Sequence, residues 1–246
     1  MADNSSEDTL LYKDSFHACQ VLAKLEKLFH DKKLCDVVLV IGDCEIGAHR
    51  AVLAANSLYF YSMFTSGMCE SIEERVLLRE VESHAVEQLV RFCYTSSIEI
   101  TEKNVQNLLS VANLLQFTTV IETCCAFLKN TLHPSNCLGI EDFAEHHGCQ
   151  KLQMAAEMYA QKHFLEVAQT DEFLAATPEQ VLRMLQSDSL NIATEKEVFD
   201  AVIQWIQHDI DSRNKWLPEM LRLVRLPLLP PKILGKLVYN FKFIQY

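Results

Sequence analysis

Glycine and proline are scarce in this 246-residue chain, six of each, and no two glycines are adjacent. Few positions can therefore take left-handed backbone or interrupt a helix, and the composition favours helix over sheet. Basic residues are outnumbered, 22 Lys and Arg against 33 Asp and Glu, for a formal charge of −11. An acidic surface repels phosphate backbones, and no basic patch offsets it, so no nucleic-acid partner is expected. No apolar run approaches the ~20 residues of a bilayer-spanning helix, and no membrane partner is expected. The polar, acidic start MADNSSEDTLLYKDS lacks the basic and apolar blocks of a secretion leader, so the expected compartment is cytosolic or nuclear. There is no Gly-x-Ser-x-Gly elbow, no glycine-rich phosphate loop and no His-Glu-x-x-His. No convergent polar pocket can be assembled for a hydrolase or redox enzyme, and neither a catalytic role nor a cofactor is expected.

Cysteine is plentiful but unpatterned. The nine are odd in number and none makes a Cys-x-x-Cys pair. Most lie in apolar periodic segments, which predicts reduced thiols in an intracellular protein. His146, His147 and Cys149 are close together, but zinc would need a second pair at similar spacing, so no metal is assigned.

The apolar residues themselves are ordered. Residues 1–13 read as a flexible N-terminus. Ala18, Val21, Leu22, Leu25, Leu28 and Phe29 then repeat at helical spacing and give one apolar stripe, which must be buried on its own domain or on a second copy. Residues 34–41 read as a β-branched strand, Gly42-Asp43 as a turn and 44–46 as the returning strand. Two short helices follow across 49–64, and 75–78 is a third strand. Asn56 and Ser57 end the first of these helices and cap the second. In the second, Leu58, Phe60, Tyr61, Met63 and Phe64 crowd more apolar surface into two turns than one core face needs. Most of Leu58, Phe60 and Phe64 is assigned to the core, leaving the end of the helix near Met63 and the loop beyond it to face a partner. Helices are expected around 86–94, 105–115 and 120–128, with a brief extended piece at 97–100.

Strand signals vanish after Pro134, so the boundary is placed near His133-Pro134. Helices are expected over 137–146, stopped near Gly148, and over 152–164. Thr177-Pro178-Glu179-Gln180 reads as a helix start with a cap residue, Pro at the first helical position and Gln at the third, and Thr194-Glu195-Lys196-Glu197 as a capping box. Val198, Ala201, Val202, Trp205 and Ile206 then mark one buried face. Pro218 begins a further helix, and the proline-rich run 226–231 breaks the chain before a last one. The expected fold is mostly α: an α+β first domain, a small sheet flanked by helices, followed by an all-α domain of stacked helices. Asp36, His49 and Arg50 are read as an internal ion-pair cluster, since a carboxylate opening a buried strand and a basic pair opening a buried helix are tolerable only together.

Residues 34–37, 48–54, Tyr59-Phe60, 63–65 and 68–71 together resemble the BTB (POZ) domain of kelch-like proteins, in order and spacing. The likeness runs on through Tyr94-Thr95, 112–116 and 124–128. Residues 136–140 with Phe143-Ala144 resemble the family's 3-box. Residues 172–174, Val198-Phe199, Trp205-Ile206 and 224–229 resemble its BACK domain. The resemblance implies a BTB domain over 14–132 and a BACK domain over 133–246, its first helices at about 133–165 forming the 3-box region. It implies a homodimeric, non-catalytic substrate adaptor of a cullin-3 RING ubiquitin ligase. Phe16, Val21, Leu22, Leu25 and Phe29 would lie in the dimer interface. Met63, Phe64, Met68, Glu70, Tyr94, Leu138 and Phe143 would contact cullin-3. Two departures stand out. Leu58 occupies a position where the family often has proline, and the Gly-Gly pairs of a kelch propeller are absent, so either the propeller that selects a protein substrate lies outside this chain, the preferred reading, or this is a two-domain variant of the family. The competing reading is a BTB transcriptional regulator whose dimer groove recruits corepressor peptides, which usually needs a DNA-binding module that an acidic helical second half does not supply.

Overall fold

A computed structural model describes residues 12–67, 72–187 and 189–231. The segment expected to be flexible lies almost wholly outside them, as does the last helix expected beyond Pro231. The chain divides into two compact units, Met1–Cys124 and Cys125–Tyr246.

The first unit opens with α1, His17–His30. Next come β1, Val37–Ile41, and β2, Cys44–Ala48, joined by a two-residue turn. Gly42 takes φ +57° there, which a side chain would resist. The antiparallel pair runs from Val37 opposite Ala48 to Ile41 opposite Cys44. Helices α2, Arg50–Asn56, and α3, Leu58–Thr65, carry the chain to β3, Arg75–Leu77, which pairs parallel to β1 and completes the sheet order β2-β1-β3. Parallel pairing requires such a crossover, and two short helices provide it. Helices α4, Ser83–Thr95, and α5, Val105–Leu114, follow. Glu82 caps α4 by accepting from the amides of His84 and Ala85 at 3.0 and 2.7 Å, and Ser96 ends it at φ +54°. The core gathers Leu39, Leu53, Phe60, Leu89, Leu108 and Phe117, all essentially without exposure.

The expected strand from residue 34 begins three residues late. Lys32 and Leu34 both take positive φ, and Leu34 is exposed, so the chain turns out of α1 before it can extend. Residues 97–100 join no strand pairing among the described residues.

The division between units falls inside α6, Thr118–Asn130. The second unit continues with α7, Cys137–His146; α8, Gln150–Lys162; α9, Phe164–Val167; α10, Asp171–Ala175; and α11, Pro178–Leu185. Then come α12, Glu195–His208; α13, Ile210–Arg213; and α14, Leu217–Leu223. A glycine ends α7, Gly148 at φ +67°. The long helix expected over 152–164 is broken at His163, which closes α8 and opens α9. A reciprocal capping box opens α11: Gln180 N–H donates to Thr177 Oγ1 at 3.3 Å, and Thr177 N–H to Gln180 Oε1 at 2.9 Å. Before α12, Glu197 accepts from the amides of Ala193 and Thr194 at 2.9 and 3.2 Å. All five residues expected on the inner face of α12 are buried, each worth about 1.5–3 kcal/mol for a large side chain. The architecture is mostly α, with a small sheet flanked by helices in the first unit. Among the described residues, no helix is long and apolar enough to cross a membrane.

Candidate functional site

Helix α3 has two apolar faces. Ser57 starts it: its Oγ accepts from Phe60 N–H at 3.1 Å and donates to the Leu115 carbonyl at 2.6 Å. That anchor turns Phe60 into the core, where its ring lies 5.7 Å from Phe64 and meets Phe117 edge-on. Phe64 is half-buried, and Arg50 lays its guanidinium 5.1 Å from that ring's centre. The opposite face carries Leu58 at 63% and Tyr61 at 55% exposure, one turn apart; Met63, on another side of the helix, is half-buried. Leu58 is therefore not a core residue. The signal was in the spacing: Phe60 and Phe64 are i, i+4, whereas Leu58 and Tyr61 are an i, i+3 pair on another side. Met68 and Glu70 lie outside the described residues.

Asp36, His49 and Arg50 do come together, but not as a buried ion-pair core. Asp36 is exposed, and its Oδ1 accepts the Arg50 main-chain N–H at 2.8 Å. Arg50 Nε donates to the Asp36 carbonyl at 3.1 Å, and another guanidinium N–H reaches the Glu73 carbonyl at 2.5 Å. These bonds tie the start of α2 to β1 and to the chain entering β3. His49 bonds elsewhere. Its Nε2 faces the Lys33 carbonyl at 3.0 Å, so Nε2 carries the hydrogen. Its main-chain N–H donates to Tyr94 Oη at 2.9 Å, and Nδ1 then accepts the Tyr94 hydroxyl hydrogen at 2.8 Å. Burial pushes the Tyr94 phenol up to about 12, so it keeps that hydrogen.

Tyr94 is only 1% exposed. The expectation that it contacts a partner is thus corrected: it is an internal pillar, stacked on Phe29 at 4.3 Å. Leu138, 2% exposed, is corrected in the same way, because it faces the core of the second unit. Phe143 is half-buried on α7, 4.4 Å from the His147 ring. No residue of α1 is buried; Phe16 and Val21 are exposed, and Leu22, Leu25 and Phe29 are half-buried.

Charge is concentrated between α7 and α11. Arg183 donates to Glu141 at 3.1 Å and to Glu145 at 2.9 Å. Burial raises the Glu141 carboxyl, and the nearby guanidinium does not fully reverse this. The rise in Arg183 comes first from its bond to Glu145, so Glu145 is the more effective partner. A carboxyl that holds its proton more tightly when folded contributes a stability that is largest in acid and fades as pH rises from the ordinary carboxylate range. Glu141→Gln should therefore gain melting temperature relative to the native chain between about pH 4 and pH 7. Thermal melts across that range check this; parallel curves for the two proteins would contradict it. Burial also holds the Cys93 and Cys137 thiols up at about 12, the latter helped by Glu172, so neither is a reactive thiolate. Among the described residues, no group of three His, Cys, Asp or Glu could hold a metal ion.

This combination, a three-stranded sheet crossed by a short helix pair and followed by stacked helices, coincides with two family models: BTB/POZ domain over residues 25–132, and BACK (BTB And C-terminal Kelch) over 137–239. The chain belongs to the BTB–BACK family of kelch-like proteins. It is 44% identical to Kelch-like protein 2 of Homo sapiens over 232 residues, which cover 94% of this chain and 39% of that protein. It is 48% identical to Kelch-like protein 17 of Homo sapiens over 196 residues, 80% of this chain and 30% of that one. Kelch-like protein 1 of Mus musculus is 41% identical over 234 residues, 95% of this chain and 31% of that protein. The chain thus spans 30% to 39% of the length of these relatives.

Proposed function

We propose that this chain is the dimerising and ligase-binding part of a non-catalytic adaptor for a cullin-3 RING ubiquitin ligase, working in the cytosol or nucleus. The observation that carries the reading is the second apolar face of α3. A helix whose core side is filled by Phe60 and Phe64 has no internal use for exposed Leu58 and Tyr61. Exposed aromatic and aliphatic pairs of that kind serve as anchors in protein interfaces. Met63, Phe64, Met68 and Glu70 follow on the same stretch. In the second unit, α7 and α8 form the region that resembles the 3-box, with Phe143 as its half-exposed apolar residue. The adaptor acts by proximity: it raises the local concentration of substrate lysines beside a charged carrier, while a kelch propeller outside this chain selects the substrate.

A second copy of the chain would cover α1. A 14-residue amphipathic helix with no buried residue has an apolar stripe that its own fold covers only in part: Val21 is exposed and Leu22, Leu25, Leu28 and Phe29 are half-buried. Val21→Asp places a carboxylate on that stripe at an exposed position and should weaken dimerisation about tenfold or more, since desolvating a charge costs more than the ~1.4 kcal/mol of one decade. Sedimentation equilibrium reads this directly, and an unchanged monomer–dimer constant would remove Val21 from the interface.

The test of the function is calorimetric titration of the 246-residue chain with the amino-terminal domain of cullin-3, with the mass of the complex taken by light scattering. Saturable binding of one cullin domain per chain, two of each in the complex, is expected. No binding to cullin, with saturable binding of a corepressor peptide, would instead establish the transcriptional reading.

A further inference from the structure

Every helix begins with four main-chain N–H groups that lack partners within it. In α7 all four are accounted for, and two of them in an unusual way. Asn136 N–H and Cys137 N–H both donate to the His133 carbonyl, each at 3.0 Å. Asn136, in the capping position, has its side chain engaged elsewhere: it accepts from His133 N–H at 2.7 Å and donates to the Thr131 carbonyl at 2.9 Å. The remaining two N–H groups are taken by a carboxylate from α10, more than thirty residues along the chain. Glu172 Oε2 accepts from Leu138 N–H at 3.1 Å, and Oε1 accepts from Gly139 N–H at 2.8 Å. A carboxylate shared by two amides at a helix N-terminus is a strong, charge-assisted arrangement.

Gly139 explains how the carboxylate reaches so close. A Cβ at that position would stand 2.6 Å from Glu172 Oε1. The glutamate could swing aside, but the oxygen that must move, Oε1, is the one that accepts from Gly139 N–H. Gly139 has no positive φ to justify it, and glycine weakens a helix, so the close approach is the reason it suits this place. Phe173, the next residue of α10, is fully buried in the core of the unit, so the clasp joins α7 to a fixed point.

We propose that Glu172 is a positioning residue for the partner-binding face of α7, and that Gly139 serves to admit its carboxylate. The inference rests on the reading that α7 belongs to the cullin-binding surface. The clasp predicts a change of sign in melting temperature, and the positioning role a loss of affinity that does not follow it. In the native background, Gly139→Ala forces the carboxylate away and lowers the melting temperature. In a Glu172→Ala background there is nothing to clash with, and the same change only improves the helix, raising the melting temperature by about 3 °C.

The experiment is this double-mutant cycle, with melting temperature and affinity for the cullin-3 amino-terminal domain measured on all four 246-residue proteins. Glu172→Ala should weaken cullin binding on the order of tenfold, about 1.4 kcal/mol, because the face of α7 is no longer held in place. The double variant should regain most of the melting temperature without regaining the affinity. A Gly139→Ala shift of the same sign and size in both backgrounds would overturn the clasp. Affinity that recovers together with the melting temperature would overturn the positioning role. Should Glu172→Ala fail to fold, Glu172→Ser, whose side chain also ends short of Gly139, runs the same cycle. If the native chain itself does not bind cullin-3, the functional reading falls and takes the positioning role with it, whereas the sign reversal in melting temperature still decides the clasp.

Discussion

Trp205→Ala lowers the stability of the folded chain by about 3–5 kcal/mol, the usual range for emptying a buried aromatic site. Trp205 is the largest fully buried side chain, on the inner face of α12. Its indole N–H donates to the Ala176 carbonyl at 3.0 Å, fixing α12 against the end of α10. Arg213 covers the ring at 4.1 Å and donates to the Trp205 carbonyl at 2.9 Å, drawing α13 back onto α12. Alanine would leave a large void, strand the Ala176 carbonyl and remove the surface on which Arg213 rests. Against a typical total of about 5–15 kcal/mol, roughly a fifth or more of the stability goes, and the melting temperature should fall by about 10–20 °C. Trp205→Phe separates the contributions: it retains most of the packing and loses the N–H bond, so its loss should be nearer ~1–2 kcal/mol. Scanning calorimetry measures both. A fall of less than about 3 °C for alanine would mean that the second unit does not depend on this residue as its burial implies.

The inner face of α12 was legible because periodicity and capping agree. Five apolar residues at helical spacing, preceded by Thr194 and Glu197, leave one way to form and bury a helix. The hairpin of β1 and β2 was legible from β-branched residues around Gly42-Asp43. Burial of Tyr94 was also available in principle: Val86, Val90 and Tyr94 follow one another at i+4, on the face that α4 buries. Resemblance to a family instead supplied a position, and a position does not say which way a side chain points. Leu138 was misread for the same reason. The environment of Asp36 was misjudged because its role is to accept a main-chain N–H, which demands nearness to Arg50 rather than burial. Glu172 was out of reach, since its partners lie on α7 and only the tertiary fold brings them together. Gly139, a glycine inside a helix, was the one local sign of that meeting.

Leu58→Asp combined with Tyr61→Asp should weaken the proposed cullin binding by roughly two orders of magnitude or more while the fold and the proposed dimer survive. Both side chains stand largely in solvent, so changing each should move stability by no more than ~0.5 kcal/mol. Leu58 is also the first residue of α3, where an added carboxylate favours the helix N-terminus. The interface meets the opposite effect. Apolar anchors in protein contacts are commonly worth about 2 kcal/mol or more, and here each is replaced by a charge that must shed its water. Together the two should weaken binding by roughly 100- to 1,000-fold, about 3–4 kcal/mol. Phe60→Ala provides the contrast from the same helix. It empties a fully buried site beside Phe64 and Phe117 and should cost about 3–5 kcal/mol of stability, so any loss of binding there would follow unfolding. Calorimetric titration read beside thermal melts separates the two behaviours. If the double aspartate variant binds cullin-3 within twofold of the native chain, the exposed face of α3 is not the contact, and the surplus of apolar surface on that helix must serve some other partner.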